Sequence, residues 1–125
     1  MTVSEQPRIV CVDDDQAVCE AMSGLLKALG FAAEAFLSAE ALLHSGALDE
    51  IACLITDVQL GGMSGLQLQT RLIELGYHIP IIMITAFSDE RIRNQALSAG
   101  AVCFLRKPVL KADLLNSIHS ALARG

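Results

Sequence analysis

Short apolar runs of four to six residues alternate along the chain with stretches whose apolar positions recur at helical spacing. The runs, at 8–12, 31–36, 52–56, 79–84 and 102–105, are too short for helices and continuous enough for strands buried on both faces. Between them, Val18, Met22, Leu25, Leu26 and Leu29 line one side of a helix. Leu68, Leu72 and Leu75 do the same in a later segment, and Leu114, Ile118, Ala121 and Leu122 in the last. Ser38, Ser64 and Ser88 stand where helices should start, and Ser64 with Gln67 makes a capping box. Gly30, Gly46, Gly76 and Gly100 stand where helices should end. Strand and helix alternating five times predicts an α/β domain, with a parallel sheet wound right-handedly and helices on both faces.

Sheets of this kind bind ligands at the carboxyl ends of their strands. That rim is where the polar residues fall: Asp13 and Asp14 after the first run, Asp57 after the third, Thr85 after the fourth and Lys107 after the fifth. Three carboxylates, a hydroxyl and an ammonium at one rim suit magnesium-assisted phosphoryl transfer. Mg²⁺ takes one or two carboxylates together with phosphate oxygens. The loose transition state needs positioning and neutralisation more than covalent help. Asp15 is read as a helix N-cap rather than a metal ligand. Without metal, three converging carboxylates should repel one another. Asp13→Ala or Asp14→Ala is therefore expected to raise metal-free stability and abolish stabilisation by Mg²⁺.

With 125 residues the chain should form one domain, 1–125 with a core at about 7–123. Its 53% hydrophobic content excludes disorder. A net charge of -5, without a run of Lys or Arg, argues against nucleic-acid binding by this domain. No apolar stretch is long enough to span a bilayer, and residues 1–7 lack the apolar centre of a signal peptide, so no membrane contact and a cytoplasmic setting are expected. Of the four cysteines, Cys11, Cys19, Cys53 and Cys103, none form a C-x-x-C pair; Cys11, Cys53 and Cys103 lie within strand runs and read as small core hydrophobes. His44, His78 and His119 share no spacing with the acids and read as surface residues.

V-D-D-D at 12–15, I-T-D at 55–57, M-S-G at 63–65, I-T-A at 84–86 and K-P at 107–108, in this order, resemble the CheY-like receiver domain of two-component response regulators. Residues 36–43 and 99–102 look most like the FixJ-type subgroup, which usually carries a C-terminal DNA-binding domain. The resemblance implies a flavodoxin-like (βα)5 fold with strand order 2-1-3-4-5. It implies that Asp57 accepts a phosphoryl group from a histidine kinase or phosphotransfer protein. It also implies that Asp13, Asp14, Asp57 and the carbonyl of Gln59 hold Mg²⁺, that Thr85 and Lys107 contact the phosphate, and that the Lys107–Pro108 bond is cis. Thr85, Phe104 and Pro108 would form the switch and output residues. The face of the fourth helix, fifth strand and fifth helix, with Arg91, Arg93, Arg106 and Lys111, would meet an output partner or a second copy. Gln16, Ala17 and Met22 would face the kinase. Such a domain is no enzyme, although it assists its own phosphorylation and dephosphorylation.

One departure is Leu60-Gly61 in place of the Met-Pro common in receivers; glycine loosens the loop that proline would stiffen. Gln59 and Phe87 flank the site and bear on the lifetime of an acyl phosphate. Two other functions compete. A haloacid-dehalogenase-like phosphatase would want D-x-D, and Asp57-Val58-Gln59 lacks its second carboxylate. A phosphate-independent interaction module would not need the Asp, Thr and Lys set.

Overall fold

The computed structural model describes residues 6–87 and 89–124. Its strands are β1 (Arg8–Val12), β2 (Ala32–Phe36), β3 (Cys53–Asp57), β4 (Ile81–Thr85) and β5 (Cys103–Arg106). Its helices are α1 (Gln16–Ala28), α2 (Ala39–Leu43), α3 (Gly65–Glu74), α4 (Glu90–Ser98) and α5 (Lys111–Arg124), with a 3-10 turn at Leu48–Glu50. The sheet order is β2-β1-β3-β4-β5 and every pairing is parallel, as expected.

Alternation along the strands divides the core. Ile9, Cys11, Cys53, Ile55, Ile82 and Ile84 face Leu26 of α1 and Leu114, Ile118 and Ala121 of α5. Val10, Val12, Leu54 and Met83 face Leu42, Leu68, Leu72 and Ala96 of α2, α3 and α4. Each fully buried Leu or Ile stabilises this arrangement by about 1.5–3 kcal/mol of transfer free energy. Among the described residues, no helix is long and apolar enough to cross a membrane.

Helix ends follow the sequence signals closely. Asp15, Ser38 and Ser64 cap α1, α2 and α3, and the Ser64–Gln67 capping box is present. Ser88 lies outside the described residues; the N-cap of α4 is Asp89, whose carboxylate accepts from the N–H groups of Arg91 and Ile92. Behind α1, α3 and α4, Gly30, Gly76 and Gly100 take positive φ, a left-handed conformation costly to other residues. The next residue in each case donates back into the last turn: Phe31 to Leu26, Tyr77 to Leu72 and Ala101 to Ala96. The second helix is shorter than its glycine suggested. It ends at Leu43 with His44 as C-cap, and Gly46 lies in the turn beyond.

Strand bounds shift slightly toward the carboxyl end. Phe31 closes α1 instead of starting β2, and β4 begins only after Pro80, which has no N–H to give the ladder. Parallel pairing then runs on to Asp57↔Ile84 and Thr85↔Arg106, making Asp57 and Thr85 the last residues of their strands.

Cys11 and Cys53 are buried, whereas Cys103 on the edge strand β5 is half-buried. Burial pushes the Cys53 thiol up to about 12 and the Cys11 thiol higher still. With folded values above the unfolded one of about 8.5, both thiols oppose unfolding at neutral pH, and that contribution falls as pH rises beyond about 9. We expect Cys11 and Cys53 to resist iodoacetamide at pH 8 in the folded protein and to react fully in urea; peptide mass mapping that finds them labelled without denaturant would contradict this.

Candidate functional site

The rim residues reach the site by backbone placement. β1, β3 and β4 are neighbours in the sheet, so Asp13, Asp57 and Thr85 emerge side by side at their carboxyl ends. Asp13 is buried just past β1, where its N–H donates to the carbonyl of Phe36 (3.2 Å) and its Oδ1 accepts from the N–H of Asp15 (2.9 Å). Asp57 Oδ1 accepts from the N–H of Gln59 (2.9 Å). Lys107 is held at its backbone by donation to the carbonyl of Thr85 (2.7 Å), and its bond to Pro108 is cis.

From that anchor the Lys107 Nζ bridges both carboxylates, 2.7 Å from Asp57 Oδ2 and 3.0 Å from Asp13 Oδ2. The two carboxylate side chains are only 11% and 10% exposed, so the bonds form in a poorly hydrated spot where charge counts for more. Partial burial disfavours the ammonium, but the hydrogen bonds to Asp57 and Asp13 outweigh it and hold the Lys107 pKa above the ordinary lysine value. Thr85 is buried, and its hydroxyl accepts from the N–H of Phe87 (3.1 Å). Phe87 itself is 58% exposed and Gln59 is exposed.

The acids are not gathered as the sequence suggested. Asp14 is exposed, and among the described residues no group of three or more His, Cys, Asp or Glu side chains is placed to hold a metal ion. Repulsion between like charges is met by turning Asp14 outward and setting Lys107 between the other two. Asp14 nevertheless borders the same loop: a Cβ on Gly61 would lie 3.9 Å from its Oδ2. The donor set is all oxygen, which suits Mg²⁺, and the ammonium between Asp13 and Asp57 marks a place that accepts positive charge. An ion there would have to share those oxygens with Lys107 or displace it.

Gly65 explains the M-S-G motif in space. Its N–H donates to the carbonyl of Val58 (2.9 Å), and a Cβ on it would run into the carbonyl oxygen of Asp57 and lie 3.0 Å from Val58 Cα. The start of α3 therefore rests on the backbone that presents Asp57. Gly65→Ala is expected to lower stability by about 1–3 kcal/mol, an overpacking penalty read from urea unfolding; an unchanged midpoint would refute the close approach.

Phe104 is half-buried against the α2–α4 side of the core and, with Phe87, Asp89, Glu90, Arg93 and Arg106, lines a small cleft. Arg91, Arg93, Arg106 and Lys111 are exposed, as are His44, His78 and His119. A larger cleft of about 530 Å³, walled by Val18, Met22 and Leu25 of α1 and by Val109, opens beside Asp57 and Lys107.

Sequence reasoning did not anticipate two polar contacts. Glu40 of α2 accepts from the N–H of Met63 (2.9 Å), and the buried Gln69 of α3 donates to the carbonyl of Ala96 in α4 (3.0 Å). Both join residues more than twenty positions apart, which no local spacing reveals.

The family model for the response regulator receiver domain matches residues 9–119. The response regulator protein TmoT of Ectopseudomonas mendocina is 44% identical over 114 residues, covering 91% of this chain and 52% of that protein. The transcriptional regulatory protein FixJ of Azorhizobium caulinodans is 35% identical over 113 residues, covering 90% and 54%. The chain thus spans about half the length of the curated relatives it matches. The crystal structure of FixJ-N superposes with a TM-score of 0.87 at 31% identity, covering 98% of both chains. With the sheet order, the acid–lysine rim and these likenesses together, the chain belongs to the receiver domain family of response regulators.

Proposed function

We propose that this receiver domain accepts a phosphoryl group on Asp57 from the phosphohistidine of a sensor histidine kinase or phosphotransfer protein, in a cytoplasmic setting. The observation that carries this reading is the Lys107 ammonium, tied to Asp57 and Asp13 beside the Thr85 backbone. A carboxylate nucleophile needs no general base, so Asp57 attacks phosphorus directly. An oxygen–phosphorus bond forms, the donor's nitrogen–phosphorus bond breaks, and the imidazole leaves. Lys107 neutralises the phosphoryl oxygens, and the Thr85 hydroxyl, freed from the Phe87 amide, donates to one of them. Mg²⁺ held by Asp13, Asp14, Asp57 and the Gln59 carbonyl would supply further positive charge at the same oxygens.

Phosphorylation adds nearly two negative charges and three strong acceptors at a rim now balanced by one ammonium. Drawing Thr85 toward the phosphate changes the packing next to Phe104 and shifts the population of two arrangements of the α4-β5-α5 face. The exposed Arg91, Arg93, Arg106 and Lys111 give that face the charge to meet an output domain, another partner or a second copy. The apolar cleft beside α1 gives a phosphodonor an approach to Asp57 past Met22. The same site assists hydrolysis of its own acyl phosphate. The test is uptake of one phosphoryl group from acetyl phosphate with Mg²⁺, read by intact mass. No uptake under any condition would favour a phosphate-independent interaction module.

A further inference from the structure

The loop from Val58 to Met63 carries the Gln59 carbonyl and passes Asp14, yet little in its own sequence stiffens it. Gly61 stands where the proline common in receivers would limit the backbone, and a second glycine, Gly62, follows it. Its ends are fixed: Val58 N–H donates to the carbonyl of Ile84 (2.9 Å), Gln59 N–H to Asp57 Oδ1, and Ser64 N–H to Gln67 Oε1 (2.9 Å). The middle is held from another βα unit. Glu40 Oε2 accepts from the N–H of Met63, and Gly62 beside it has φ +86° and no Cβ. A Cβ there would lie 2.8 Å from Glu40 Oε2, so the carboxylate sits in space that the glycine leaves open. Among the described residues, Glu40 Oε1 has no hydrogen-bond partner.

We infer that Glu40 is a positioning residue for the phosphoacceptor loop. Its carboxylate, reaching from α2, sets the Gly61–Met63 bend and thereby the place of the Gln59 carbonyl relative to Asp57 and Asp14. This takes over the ordering that the absent proline would give. The inference rests on the magnesium and phosphoryl site proposed above, and it adds a group that touches neither.

The test compares the unsubstituted chain with Glu40→Ala and Glu40→Gln. Amide hydrogen exchange over residues 58–63 without metal should accelerate in Glu40→Ala and stay near the unsubstituted rate in Glu40→Gln, which keeps an acceptor for Met63. Mg²⁺ affinity by calorimetry should weaken about tenfold in Glu40→Ala, the low end for groups that act behind metal ligands, and recover in Glu40→Gln. Glu40→Asp, which keeps the charge but is one methylene too short to reach the Met63 amide, should give the same pair of changes and covers the case in which Glu40→Ala does not fold. Unchanged exchange, or faster exchange with unchanged Mg²⁺ affinity, would overturn the inference. If the unsubstituted protein binds no Mg²⁺, the functional reading itself fails and takes this inference with it.

Discussion

Incubated with acetyl phosphate and Mg²⁺, the protein is expected to gain the mass of one phosphoryl group, and Asp57→Asn to gain none. Asp13 competes as acceptor, because its side chain is as enclosed as that of Asp57 and shares the same ammonium. The sheet order separates them. β3 lies between β1 and β4, so Asp57 has Thr85 on the adjacent strand, whereas Asp13 is one strand further away. A phosphoryl group on Asp57 is therefore within reach of both the hydroxyl and the ammonium; on Asp13 it would have the ammonium alone. Each lost charge-stabilising donor typically slows such chemistry by about a hundredfold or more. Asp13→Asn keeps the acceptor but removes a carboxylate proposed to hold Mg²⁺, and should therefore react much more slowly. Uptake by Asp57→Asn equal to that of the unsubstituted protein would move the acceptor elsewhere and dismantle the proposed mechanism.

Replacing Lys107 with alanine should have a large effect on metal-free stability. The ammonium makes two charge-assisted hydrogen bonds to carboxylates that are nearly enclosed. Without it, Asp13 and Asp57 face each other unneutralised, and one must take up a proton or turn toward solvent. Removing one partner of a buried pair costs more than the pair contributes, although the exposure of Lys107 moderates that here. We expect a loss of about 1–3 kcal/mol and a fall in Tm of roughly 4–12 °C. Saturating Mg²⁺ should then raise the Tm of Lys107→Ala by more than it raises that of the unsubstituted protein, since the ion supplies the missing charge. Equal Tm values without metal would mean that the two ion pairs contribute nothing to the fold. An equal Mg²⁺ increment would mean that ammonium and ion do not share a place.

The same geometry revises an expectation from the sequence. Three repelling carboxylates would make Asp13→Ala stabilising without metal. Asp13 is instead a partner of Lys107 and of the Asp15 amide, so its removal takes away attraction along with repulsion. The exposed Asp14 is the acid whose loss relieves charge at little cost.

The order of elements, the parallel sheet, the N-caps of the first three helices and the rim set Asp13, Asp57, Thr85 and Lys107 are legible in the sequence because each depends on local chemistry. Strand and helix periods, glycine after a last helical turn, and polar residues at strand ends are all short-range patterns. What the rim residues do to one another is decided only in three dimensions. Lys107 meets Asp13 across 94 positions of sequence, and Glu40 meets Met63 across 23. Such pairs depend on which strands adjoin, where loops turn back, and where glycine leaves room for a carboxylate. A hydrogen bond or ion pair acts over a few ångströms of space whatever the separation along the chain. The sequence therefore determined which groups arrive at the carboxyl rim. The tertiary structure decided that two acids are clamped by one lysine while the third stays in solvent, and that a distant glutamate secures the loop between them.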